Sequence, residues 1–181
     1  MSARLPTIAL AAAFALPGAA LGLAAVLGAA VPASAQQEAE ERRFGDWQLV
    51  CPAGDAGARC FITQRQTATD TGLDLLGAAI FYLPGQSDPT IELRIAPQAD
   101  PQQPIALQVD DARPLTIGIE QCNESYCATT GTLSAGLIAQ FRAGNRALIS
   151  FVAPPDGQRI AVPLSLQGFT AAMRALDERA R

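Results

Sequence analysis

The sequence contains no lysine and no histidine. Without histidine there can be no His-based catalytic triad, no Cys–His dyad and no imidazole zinc site. Without lysine, Schiff-base chemistry, a Ser–Lys dyad and a phosphate-loop lysine are all excluded. The 13 basic side chains are therefore all arginine, and 17 acids outnumber them to give a formal charge of −4. That balance argues against a nucleic-acid surface. Carboxylates show no catalytic spacing either: Asp74 and the adjacent Asp110 and Asp111 read as turn residues. Ser134, between Gly131 and Gly136, lacks the nucleophile-elbow spacing and any histidine to activate it. The expectation is a protein without catalytic residues, metal or cofactor.

What is present first is a leader. Arg4 is followed by an uncharged run from Ile8 to Val31 and then by Ala33-Ser34-Ala35, directly before Gln36, Gln37 and a group of acids. A basic start, an apolar stretch and a small-x-small ending are the parts of a secretory signal peptide, cleaved between Ala35 and Gln36. An uncleaved membrane anchor is the alternative, since the run is long enough to span a bilayer. Pro17, Pro32 and the glycines at 18, 22 and 28 interrupt it as a helix, and an anchor has no use for the Ala-x-Ala ending. Removing residues 1–35 takes away one charge and leaves 146 residues at −5, with no further segment able to cross a membrane. A chain of that length can bury a real core as one domain.

Four cysteines, Cys51, Cys60, Cys122 and Cys127, all follow the leader. An even number in an exported chain points to disulfides. Three pairings are open, and the spacing favours 51–60 and 122–127, each clamping the end of a hairpin. Redox pairs usually stand as Cys-x-x-Cys at a helix start, whereas the gaps here are eight and four residues.

The rest of the chain predicts a mainly β fold: an antiparallel β-sandwich with one internal helix and one C-terminal helix. Residues 36–43 are polar without periodicity and read as a flexible lead; the domain is expected over 44–181. Strands are expected over 47–51, 60–66, 75–83, 90–96, 105–110, 115–121, 147–152 and 159–164. The clearest alternation is Ile91, Leu93 and Ile95. Leu133, Leu137, Ile138 and Phe141 repeat at helical spacing and stop at Gly144. Phe169, Met173 and Leu176 form a second apolar stripe, with Ser165 as its expected N-cap. Trp47 and Phe44 are anchors of the first strand on one reading. On the other they join Tyr126, inside the small cysteine loop, in a partner-binding surface.

Phe44-Gly45-Asp46-Trp47 followed by Cys51, then Cys60 with Gln64, the Cys122/Cys127 pair, and Pro163-Leu164-Ser165-Leu166-Gln167-Gly168-Phe169 occur in one order. Together they resemble the invasion-associated locus B family across 44–178. Tyr126 is a departure, standing where that family would carry a small residue. The resemblance implies an exported envelope protein of Gram-negative bacteria, with no defined enzymatic activity to carry over. The expected function is thus a non-enzymatic, periplasmic or envelope-associated binding module. Its expected partner is an envelope protein or other envelope component. Two alternatives are a thiol-redox or envelope-assembly factor using Cys122 and Cys127, and a surface-exposed host-interaction factor.

Overall fold

The computed structural model describes residues 39–54 and 59–180. The expected leader and its Ala35/Gln36 cleavage site lie outside the described residues. The elements run β1 (Glu40–Phe44), β2 (Trp47–Cys51), β3 (Phe61–Thr67), β4 (Asp74–Phe81), β5 (Thr90–Ile95), β6 (Ile105–Val109) and β7 (Leu115–Ile117). They continue with β8 (Gln121–Cys122), β9 (Cys127–Thr132), α1 (Ala135–Ala143), β10 (Arg146–Ala153), β11 (Gln158–Ser165) and α2 (Phe169–Ala180).

The strands form a seven-stranded sheet, β1-β2-β3-β4-β5-β9-β8, and a four-stranded sheet, β11-β10-β6-β7. Every pairing is antiparallel. Alternation decides which face is buried. Leu49, Ile62, Ile80 and the Ile91/Leu93/Ile95 series of the large sheet point inward, as do Ile105, Leu107, Ile149, Phe151 and Leu164 of the small one. They join the apolar faces of both helices in one hydrophobic cluster. The fold is the expected β-sandwich with two helices.

Helix α1 starts where Ser134 accepts a hydrogen bond from the Leu137 N–H at 3.3 Å, a standard N-cap, and it ends at Gly144. Its Phe141 stacks edge-to-face on Phe169 of α2, with centroids 5.1 Å apart, and Phe169 meets Trp47 in the same way at 5.5 Å. Both helices therefore close the core through a chain of three aromatic rings.

Three expectations need correction. Residues 40–43, placed in the flexible polar lead, form edge strand β1 together with Phe44. Its charged side chains are exposed on both faces, so no alternation betrays it, and backbone pairing with β2 makes the strand. The strand expected over 115–121 is two strands in different sheets. The chain crosses between them at Gly118–Glu120, where the Thr129 hydroxyl donates to the Gly118 carbonyl at 2.6 Å and the Glu120 N–H donates to Ala128. Strand β9, the second arm of the expected Cys122–Cys127 hairpin, runs from Cys127 to Thr132, a stretch without apolar alternation. Ser165 caps no helix: it ends β11, and α2 begins four residues later.

Candidate functional site

Ser165 has other work, and it explains the motifs. The Trp47 indole N–H donates to the Ser165 carbonyl at 2.9 Å, and the Gln64 side-chain amide donates to the same oxygen at 3.0 Å. The Ser165 N–H returns a bond to Gln64 Oε1 at 2.8 Å. Gln64 is 4% exposed, yet both ends of its amide are satisfied, which burial of such a group requires. Beside it, the turn at Gly45 meets the turn at Gly168. The Asp46 N–H donates to Gln167, and the approach is so close that a side chain on Gly168 would overlap the Phe44 carbonyl. Both glycines also have positive φ, 59° and 87°. The opening and closing motifs are thus two halves of one structural joint.

That joint removes Trp47 from any exposed surface, since it is 0% exposed. Phe44 is half-buried and packs against the core. Tyr126 is half-buried too, its ring 4.8 Å from the Arg94 guanidinium carbon. It sits on the β8–β9 hairpin, at the opposite edge of the large sheet from β1 and β2. The three aromatics do not form one surface.

The cysteines stand in two closed pairs. The sulfurs of Cys51 and Cys60 are 2.06 Å apart and those of Cys122 and Cys127 2.01 Å apart, and no cysteine is free. The first pair joins the facing ends of β2 and β3; the second joins directly opposed residues of β8 and β9. The two sulfurs of the second pair differ in access. Cys122 is exposed, whereas Cys127 is buried, with Sγ 3.7 Å from the Pro97 carbonyl oxygen and 3.9 Å from that of Ala99. The loop between them is held independently, by Asn123 Oδ1 accepting from the N–H groups of Ser125 and Tyr126.

A concave site lies elsewhere, at the end of the large sheet carrying the Cys51–Cys60 bridge. It is a cleft of about 640 Å³ between the β4–β5 connection (Tyr82 to Ser87) and the last turns of α2. Arg59 and Cys60 close one end. The Tyr82 hydroxyl donates to Asp177 Oδ1 at 2.7 Å. Burial, with the Asp177 carboxylate second, pushes the Tyr82 phenol up to about 12, so this hydroxyl stays a neutral donor. Arg179, also lining the cleft, donates to Glu40 of β1 at 2.6 Å and ties the N-terminal strand to α2. Such a cleft offers donors, acceptors and an apolar floor around Leu176, which suits recognition. Among the described residues no group of metal-ligating side chains occurs, and no helix is long and apolar enough to cross a membrane. Sequence reasoning missed this site because Tyr82 and Asp177 are 95 residues apart and neither belongs to a motif.

The curated invasion protein B homologue of Brucella abortus (strain 2308) is 23% identical over 133 residues, covering 74% of this chain and 76% of that protein. The homologue from Brucella abortus biovar 1 (strain 9-941) matches to the same extent. The crystal structure of invasion associated protein B from Bartonella henselae superposes with a TM-score of 0.69 at 18% identity, over 77% of this chain and 96% of that one. The family described as invasion associated locus B (IalB) protein matches residues 47–177. The chain belongs to the invasion associated locus B family.

Proposed function

We propose that the protein is an exported, non-enzymatic binding module of the cell envelope, periplasmic or envelope-associated. The observation that carries this reading is the closure of all four cysteines in two pairs at hairpin ends, which suits an oxidising compartment. The cleft at Tyr82 and Asp177 supports recognition as the activity. Membership of a family named for invasion supports an invasion-associated role.

Thiol exchange through Cys122 and Cys127 is the competing reading, and the burial of Cys127 speaks against it. A thiolate attacking exposed Cys122 would release Cys127 as an anion facing two carbonyl oxygens, a poor leaving group. Fractionation with thiol trapping and non-reducing peptide mapping tests the proposal. The expected result is a periplasmic chain beginning at Gln36 with quantitative 51–60 and 122–127 bridges and no trapped thiol. A cytoplasmic chain, or a standing fraction of free Cys122 and Cys127, would overturn it. Digestion by protease added to intact cells would favour the host-facing reading.

A further inference from the structure

The Tyr82 cleft holds polar groups that the fold itself does not use. Tyr82 and Cys60 line it from the side packed against the core, together with the last turns of α2. Leu176, 1% exposed, makes an apolar floor, and Leu83, 38% exposed, stands on the wall made by the β4–β5 connection. That wall is fixed, because the Gln86 N–H donates to the Leu83 carbonyl at 3.2 Å across Pro84 and Gly85. Proline in the second position and a glycine with φ 72° in the third make it a type II turn. Two charges line the cleft without an ion-pair partner among the described residues, Arg59 and Asp177. Arg179 is matched by Glu40. Asp177 accepts from the neutral Tyr82 hydroxyl with one oxygen and keeps the other. Beyond the lining, Arg142 and Asp88 act on Tyr82 with opposite sign and offset each other. Gln86 and Ser87 add uncharged donors and acceptors.

We propose that the cleft captures the free C-terminal end of a polypeptide whose last side chain is apolar. The inference rests on the binding role above and names the chemistry of the ligand. Arg59 offers the planar fork that a terminal carboxylate accepts bidentately. Asp177 takes an amide N–H of the same ligand on its second oxygen, and Leu83 with Leu176 receives the last side chain. Other ligand classes meet a mismatch. A phosphate dianion drawn to Arg59 is repelled by Asp177, and a basic segment drawn to Asp177 is repelled by Arg59. At about 640 Å³ the cleft has room for more than one residue. It falls within the range of about 300–1,000 Å³ common to small-ligand sites. The pre-set turn and the carboxylate held by Tyr82 reduce the ordering cost of binding.

Calorimetric titration of the mature chain with tripeptides, each made as free acid and as C-terminal amide, tests this. Ala-Ala-Leu should bind as the free acid, and its amide should bind at least about tenfold more weakly. Ala-Ala-Ser should bind more weakly than Ala-Ala-Leu, and Leu83→Ser should narrow that gap. Arg59→Gln should abolish the acid–amide difference. Its melting curve should stay close to wild type, because Arg59 is exposed. Asp177→Asn should weaken binding by a smaller factor, since the amide oxygen still accepts an N–H. Should Arg59→Gln fail to fold, the acid–amide comparison on the wild-type chain carries the test. No binding by any peptide, equal binding of acid and amide, or a difference that survives Arg59→Gln would overturn the proposal. Free leucine or inorganic phosphate binding as tightly as Ala-Ala-Leu would overturn it in favour of a general anion site. A cytoplasmic chain that binds these peptides would remove the envelope reading alone. A periplasmic, fully bridged chain that ignores them would remove this inference alone.

Discussion

The Gly45/Gly168 joint and the Tyr82 cleft are each assembled from segments about a hundred residues apart, yet from opposite materials. At the joint, Trp47, Gln64 and Ser165 satisfy one another completely, and two backbones meet with no room for a side chain. At the cleft, polar side chains line open space and one tyrosine–aspartate bond spans the wall. Substitution at the first should therefore cost stability, and substitution at the second should cost recognition. The opening and closing motifs of the sequence are the ones that hold the sandwich shut.

The contrast breaks most visibly at Gly168. Gly168→Ala should cost more than about 3 kcal/mol or prevent folding, because the added methyl meets the Phe44 carbonyl in a residue with positive φ. The control Gly118→Ala, with nothing within 4 Å, should stay within about 0.5 kcal/mol. Urea midpoints measure both. Trp47→Ala should follow at roughly 3–5 kcal/mol, through the cavity it leaves beside Phe169 and the bond lost to Ser165.

Opening the cysteine pairs should cost about 2–3 kcal/mol each on the chain-entropy account. The Cys51–Cys60 pair, with sequence separation 9, should cost slightly more than Cys122–Cys127 with 5. Paired Cys→Ser variants compared by thermal melting check the order. Gln64→Leu should cost roughly 1–3 kcal/mol, since the Ser165 N–H loses its partner. Equal losses at Gln64→Leu and at an exposed glutamine such as Gln86 would remove the special status of the joint.

Tyr82→Phe should have the smallest effect at neutral pH. Its signature is the pH dependence. Because the folded phenol is pushed up to about 12 from 10.0, the unfolded chain releases its proton first as pH rises. Stability from this group is complete below about pH 10 and declines between about pH 10 and 12, as linkage requires. Unfolding curves at pH 9 and pH 11 should show a drop in wild type that Tyr82→Phe reduces. Identical drops would detach Tyr82 from Asp177.

The sequence was most legible where a strand is buried on one face. Ile91, Leu93 and Ile95 alternate with Glu92 and Arg94 because one side of β5 meets the core and the other meets water. The helical spacing of Phe169, Met173 and Leu176 was legible for the same reason. β1 was not, since an edge strand exposed on both faces needs no apolar pattern. β9 was legible only as the second arm of the Cys122–Cys127 hairpin, and its extent was not, since Ala128-Thr129-Thr130-Gly131-Thr132 carries no apolar alternation.

By itself the sequence determined the chemistry available to this protein: arginine as its only cation, no imidazole, four cysteines in short loops, and strands and helices announced by their apolar period. Those are local properties, set by residue identity and spacing. Which segments meet was decided by tertiary structure alone. Crossing between sheets at Gly118–Glu120 and the meeting of Gly45 with Gly168 depend on contacts between distant parts of the chain. So do the choice of Ser165 as a buried acceptor and the approach of Asp177 to Tyr82. A short sequence window contains neither partner's position, and packing of the whole core supplies it.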